Sequence, residues 1–453
     1  MSTTTAHLPA LTRTLRLPSL VLFGLAYLTP LIVLGIFGVI AAETGGASAS
    51  AYLLALIAML FTANSYGRMA KAFPVAGSAY TYVRRTIDGR VGFLVGWAIM
   101  LDYLFLPMVI WLIGGSYLQA QFPAVPMPVW IVGFIVVTSV LNVIGIKVAD
   151  RTNLVLMTFQ ILVIAFFVAL CVAHVVQADG AAGLASAGPF TGTGAGFAGI
   201  AGGAAIAAYS FLGFDAVTTL TEETVEPRRT VPRAIMLVAL IGGGIFILVS
   251  YVTQLVHPGG TFDSPDTAAF DIAVTIGGNL FGAVFLAALV IAQFTSGLAA
   301  QASGSRLLFA MGRDGVLPRR VFGVLNERRR TPVLSIVAIA VVGLIAIFLD
   351  VATSTSFINF GAFVAFIMVN VAVIAYWVQE RRAGRAHNPV LYLVAPIIGV
   401  IVIAYLLTRL DINAIALGSA WLVIGTVILG FTTRGFRRQP PALSVDDTPG
   451  TDD

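Results

Sequence analysis

Apolar runs of about twenty residues, each long enough to cross a hydrocarbon layer roughly 30 Å thick, recur along the chain and predict twelve membrane-spanning helices. They lie near 19–42, 48–66, 92–117, 128–146, 153–175, 197–223, 234–255, 276–309, 332–349, 355–378, 390–408 and 413–432. The expected fold class is therefore an all-α polytopic membrane protein. The first run is too long for a cleaved secretory signal and no small-residue cleavage site follows it, so it reads as a retained span.

Two of these spans carry residues that work against a continuous helix. Span 1 contains GLAYLTP, Gly24 to Pro30, and proline removes a backbone donor and clashes with the preceding turn. Helicity is expected to fail around Tyr27 to Val33, an ordinary proline kink being the alternative. Span 6 contains SFLGFDAVTTLTEET, with Gly213 set between Phe211 and Phe214 and an acid, Asp215, in the inner half. The two spans lie five apart with opposite orientation, and corresponding interruptions of that kind point to a transporter site built by inverted repeats.

With 58% hydrophobic and 10% charged residues and a mean hydropathy of +0.95, the chain lacks the charge to cover a soluble protein of this length. The charges are sorted. Of the 26 basic residues, only Arg409 falls on the side opposite the N-terminal segment, the connections after spans 2, 4, 6, 8 and 10, and the C-terminus, Arg306 standing near the inner end of span 8. Lys and Arg in short loops stay cytoplasmic, so both termini are expected inside. The net charge of +5 follows from that rule and implies no nucleic-acid partner. The opposite face carries Asp179, Asp263, Asp266, Asp350 and Asp411, a mildly negative mouth or simple solvation. Residues 433–453 form a Pro- and Asp-rich tail expected to be disordered.

Among the 21 acidic residues, only Asp102 in span 3 and Asp215 lie well inside a span, and no Lys or Arg lies at comparable depth. A carboxylate without a fixed cation takes up a proton or awaits a mobile cation, which describes a cation or proton pathway. The alternatives are a helix cap for Asp215 and a backbone bond for Asp102. Glu222 and Glu223 stand at the inner end of span 6, as salt-bridge partners or part of a gate. Other chemistries find no support. The four histidines, His7, His174, His257 and His387, fall at span ends or in tails and form no metal set, the single Cys171 excludes an internal disulfide, and neither Lys71 nor Lys147 lies in a phosphate loop. No enzyme constellation and no cofactor site is indicated.

Together with GLAYLTP and SFLGFDAVTTLTEET, four further segments, FPVAGSAYTYVRR, VGWAIMLDYLFLP, SRLLFAMGRDGVLPRRVFG and INFGAFVAF, resemble those of the amino acid–polyamine–organocation permeases, the putrescine-importing members above all. They run through nearly the whole chain in the family's order. The resemblance implies a leucine-transporter-like fold, with spans 1–5 (19–178) and 6–10 (196–378) as inverted repeats and spans 11 and 12 (390–432) as accessories after a cytoplasmic segment, 1–18. It implies a small-molecule amine or amino acid substrate, commonly moved with protons or by exchange, bound near Tyr27, Thr29, Pro30 and Leu31 with Phe211, Gly213 and Phe214 opposite. Tyr103 would face the cavity beside Asp102, and Asp215 stands where many relatives hold an acid linked to proton coupling, a role open to Asp102 as well. One departure weakens putrescine as substrate: importers of it carry an acid in the inner half of span 1 where this chain has Gly35. Gln160 stands near where some relatives place a lysine in span 5, so the coupling ion stays open. Exchange of neutral amino acids, and a non-transporting nutrient sensor of the same fold, are the competing readings.

Overall fold

Inside a bilayer each backbone N–H and C=O must find its partner within the protein, which restricts spanning segments to helices or closed barrels. The computed structural model describes residues 13–75, 78–145, 150–313, 317–326, 329 and 331–440, and among them every regular element is helical. His7, Lys147, Arg328, Arg330 and the tail from 441 onward lie outside the described residues.

Among the described residues, eleven helices are long and apolar enough to cross a membrane. The span expected at 332–349 is shorter, an α-helix Val333–Gly343 finished by a tighter 3-10 segment, Leu344–Phe348. The tighter winding rises further per residue, so this stretch still extends roughly 26 Å. Several helices begin on a capping carboxylate. Asp88 accepts from the backbone of Arg90 at the head of span 3, Asp350 from Thr353 at span 10, and Asp411 from Asn413 and Ala414 at span 12. Two of the aspartates that looked like a scattered negative face are thus helix N-caps, placed where a carboxylate satisfies free N–H groups and the helix dipole.

Spans 1 and 6 are both broken, and their breaks lie side by side. Span 1 runs Leu17–Leu28, Ile32–Gly35 and Phe37–Thr44, with Thr29 left-handed at φ 49° and Ile36 leaving helical geometry at φ −125°, ψ 10°. Span 6 runs as an α-helix over Gly196–Ala207, a 3-10 turn over Ala208–Phe211, and a 3-10 stretch over Phe214–Glu223 after Gly213. At the arginine-rich end, here called the basic end, the two are tied. Thr14 and Leu15 donate backbone N–H bonds to the Glu223 carbonyl at 2.9 and 3.0 Å, and Val225 donates to Leu15 at 2.9 Å.

Around this pair the remaining spans pack closely. Span 2 (Ser48–Ala72) lies on span 7 (Pro227–Val256), where Gly67 meets Pro232 and Gly243 meets Leu56. Span 3 (Gly89–Gln121) contacts spans 8 (Ala268–Arg313, divided at Gly278) and 10 (Val351–Arg382). Its Trp97 and Trp421 of span 12 (Ile412–Thr432) stack at 4.8 Å and each donates its indole N–H to the other's carbonyl. Past span 12 the chain stays ordered as far as the described residues go. Thr433 is fully buried and Gln439 reaches Asp88 at 3.4 Å, while residues 434–439 are exposed.

Polar side chains between spans act as specific locks. Asn370 of span 10 accepts from Ser65 at 2.6 Å and donates to Thr62 at 3.2 Å, both on span 2. Asn370→Ala is expected to lower the stability of the detergent-solubilised protein by about 1 kcal/mol, read as a fall in thermal unfolding temperature; an unchanged temperature would deny this lock its role.

Candidate functional site

The breaks leave main-chain carbonyls without intrahelical partners, and side chains of neighbouring spans supply them. Tyr117 of span 3 donates to the Leu34 carbonyl at 2.7 Å, and Asn359 of span 10 donates to the Ala205 carbonyl at 2.8 Å, where the α-helical half of span 6 is ending. Gly213 is held at φ 107°, and the Tyr27 ring lies directly on it: a β-carbon there would come within 2.0 Å of Tyr27 Cδ1. No other residue type satisfies both the left-handed backbone and that approach. The glycine and the tyrosine therefore clasp the two breaks together.

A cavity of about 910 Å³ begins at this clasp. Tyr27, Thr29, Tyr209 and Leu212 line its head, Gln160, Gln293 and Ser296 its walls, and it runs down to Arg306, Phe309 and Arg329 at the basic end. The opposite end is packed backbone against backbone: a β-carbon on Gly38 would lie 2.2 Å from the Pro265 carbonyl, and one on Gly46 within 2.9 Å of Gly259. In this arrangement the breaks communicate with the basic end and are sealed from the other.

The expected site residues divide around the clasp. Tyr27 and Thr29 line the cavity, whereas Pro30 and Leu31 are buried behind the break and act through the bend they impose. Phe211 and Phe214 do not line it. Both are fully buried, Phe211 edge-on to Phe246 and Phe214 edge-on to Tyr66, because the 3-10 winding turns both rings into the core between spans. Tyr103 also stands off the cavity, with its carbonyl packed where Gly304 of span 8 leaves room. Gly35 closes the short turn after the break, so it belongs to the half of span 1 beyond Thr29 from the N-terminus and not to the inner half. It faces the Gln293 amide, which a β-carbon would meet at 3.6 Å.

Asp102 and Asp215 lie behind the clasp, within electrostatic reach of each other and of Tyr27. Asp102 Oδ1 is buried without a hydrogen-bond partner among the described residues, and Tyr209 stands within its field. Asp215 accepts a hydrogen bond from Ser78 at 3.2 Å. Neither carboxylate forms a salt bridge among the described residues. Glu222 and Glu223 are half-buried at the basic end, and Glu223 joins the site through its carbonyl, which receives the Thr14 and Leu15 bonds. Gln160, read from the sequence as a lysine replacement, lines the cavity with Oε1 buried and without a partner among the described residues.

Ser78, Tyr209, Gln293 and Asn359 were not singled out in the sequence. Gln293 carried a signal, an uncharged polar side chain in an apolar span, and Ser78 and Asn359 sat in quoted motifs without an assigned role. Gly213→Ala is expected to destabilise the protein by about 1–3 kcal/mol through its left-handed backbone, with a further steric loss that Tyr27→Ala relieves. Thermal unfolding of both single variants and the double variant measures this coupling, and strictly additive losses would remove the clasp.

The sequence pattern of the family described as Amino acid permease matches residues 19–431. The low-affinity putrescine importer PlaP of Escherichia coli strain K12 is 38% identical over 433 residues, 95% of this chain and 96% of that protein. The branched-chain amino acid permease BcaP of Bacillus subtilis is 26% identical over 418 residues, 87% of this chain and 88% of that protein. Human cationic amino acid transporter 4 is 28% identical over 373 residues, covering 78% of this chain and 58% of its own length. Two broken spans at the head of a cavity of mixed polar and apolar lining, carboxylates behind them, and similarity along almost the whole chain meet in one conclusion: the protein belongs to the amino acid permease family, a family of membrane transporters and not of enzymes.

Proposed function

We propose that this transporter imports a cationic amine of the putrescine type, or an amino acid, by alternating access, and that the arrangement described is the one open to the cytoplasm. The basic end is the cytoplasmic end in this reading, because arginines and lysines of short loops are retained there. Both termini are then inside, and spans 1–5 and 6–10 form inverted repeats that rock about the paired breaks. The observation that carries the proposal is the pair of carboxylates, Asp102 and Asp215, behind the clasp, neither of them in a salt bridge among the described residues and Asp102 Oδ1 buried without a hydrogen-bond partner there.

Each side chain has a chemical task. The non-helical turn at Thr29, Pro30 and Leu31, with Gly213 across from it, is where the substrate's polar ends are bound in this reading, exchanging for the turn bonds that the Thr29, Leu31 and Gly213 carbonyls now accept from Ile32, Leu34 and Ala216. Tyr27 supplies an aromatic face on which an alkylammonium group is attracted. Asp102 gives the negative field that favours a cation at the head of the cavity, and Asp215 carries a proton across when the substrate's own charge does not suffice. A positive charge moving inward gains about 2.3 kcal/mol per 100 mV. A diamine gains twice that and a zwitterion nothing, so the need for the proton rises as substrate charge falls.

Exchange of neutral amino acids remains a second reading. It is favoured by the uncharged polar lining residues Gln160, Gln293 and Ser296, and by Gly35, which stands where the resemblance leads one to expect an acid. Uptake into proteoliposomes decides between them. Putrescine and other amines are expected to compete best, and Asp215→Asn is expected to let a zwitterionic substrate equilibrate but not accumulate under an imposed pH gradient. Preference for acidic substrates, or accumulation unchanged by Asp215→Asn, would defeat the cation site and the proton role respectively.

A further inference from the structure

Ser78 opens the short helix Ser78–Thr86 that lies at the basic end between spans 2 and 3. Its backbone is left-handed, φ 49°, which L side chains other than asparagine and aspartate seldom adopt. That geometry aims its hydroxyl at Asp215, to which it donates at 3.2 Å across 137 residues of sequence. A strained backbone at a serine, where glycine would be free of strain, calls for a return, and the hydrogen bond to the carboxylate is that return.

The surroundings make this bond matter. Three elements besides the short helix place ionisable groups toward Asp215, Tyr27 from span 1, Tyr66 from span 2, and Asp102 and Tyr103 from span 3, and the short helix itself adds Tyr82. Span 7, which packs on the same stretch, has Arg228, Arg229 and Arg233 of its first two turns exposed at the surface, and none of them forms a salt bridge to the carboxylate. The 3-10 stretch Phe214–Glu223 that bears Asp215 is also the part of span 6 tied to Leu15. A contact between the short helix and Asp215 therefore bears on the basic-end halves of spans 1 and 6 together.

We propose that Ser78 is a positioning residue: its hydroxyl latches the basic-end half of span 6 through Asp215 and favours the arrangement in which the cavity opens to the basic end. The proposal rests on alternating access as read above. The bond joins a segment between spans to a broken helix, so it stabilises this arrangement relative to any in which the two separate.

The test reads the opposite, sealed end, where opening is the minor state. Ala268 is buried against Gly38 there, and the protein's own Cys171 is buried. Full-length protein carrying Ala268→Cys and Cys171→Ala is labelled in vesicles with a membrane-impermeant thiol reagent from the face opposite the basic end. Ser78→Gly removes the hydroxyl while easing the backbone, and is expected to raise the labelling rate roughly tenfold, the worth of a hydrogen bond to a charged group. Ser78→Ala is expected to do the same, and Ser78→Thr, which keeps the hydroxyl on a less favourable backbone, to stay nearer the unsubstituted rate. A Ser78→Gly protein labelled at the unsubstituted rate overturns the latch, as does one in which Gly and Thr raise the rate alike. Labelling needs neither substrate nor ion gradient, so it judges the latch even where uptake measurements reject the substrate or the proton.

Discussion

In an apolar medium a helix cannot be broken without a cost, because each carbonyl and amide released from the ladder must be bonded again inside the protein. Two spans of this chain are broken at the same depth, and the rest of the fold is arranged around meeting that demand. Tyr117 bonds the Leu34 carbonyl and Asn359 bonds the Ala205 carbonyl. Spans 3 and 10 therefore belong to the site through hydrogen bonds to its backbone, before any substrate contact is considered. The clasp of Tyr27 on Gly213 then keeps the two interruptions in register.

The same constraint explains how a polar site survives at membrane depth. The carboxylates stand behind aromatic side chains, and the cavity that reaches the clasp sets amides, hydroxyls and the rings of Tyr27 and Tyr209 among apolar side chains. A mobile cation entering such a site replaces the missing countercharge, which is how binding energy and selectivity for positive charge come from one arrangement. Sealing at the far end is achieved differently, by glycines that let backbones touch, Gly38 on Pro265 and Gly46 on Gly259. Close packing of that type holds a seam shut without polar locks and releases it without leaving buried charges behind.

Ties at the basic end give the moving parts their grouping. The bonds from Thr14 and Leu15 to Glu223 join the first halves of span 1 to the last half of span 6, while Trp97 and Trp421 fasten span 12 to span 3. One set belongs to the broken pair and the other to its surroundings, a division suited to one body rocking against another.

The order of the spans, the helical class and the two interruptions were legible in the residues themselves, because apolar length, proline and glycine act locally and need no distant partner. Asp102 and Asp215 were legible for a related reason: a carboxylate in an apolar run is conspicuous wherever it points. What the linear chain did not reveal is which side chains turn toward the cavity. Phe211 and Phe214 stand beside the break in sequence, yet 3-10 winding rotates each residue about 120° from the last and delivers both rings to the core. Ser78 and Asn359 gained their roles only when folding brought them across 137 and 154 residues to their partners. Local chemistry determined where the helices would break; long-range packing alone decided what stands against the breaks.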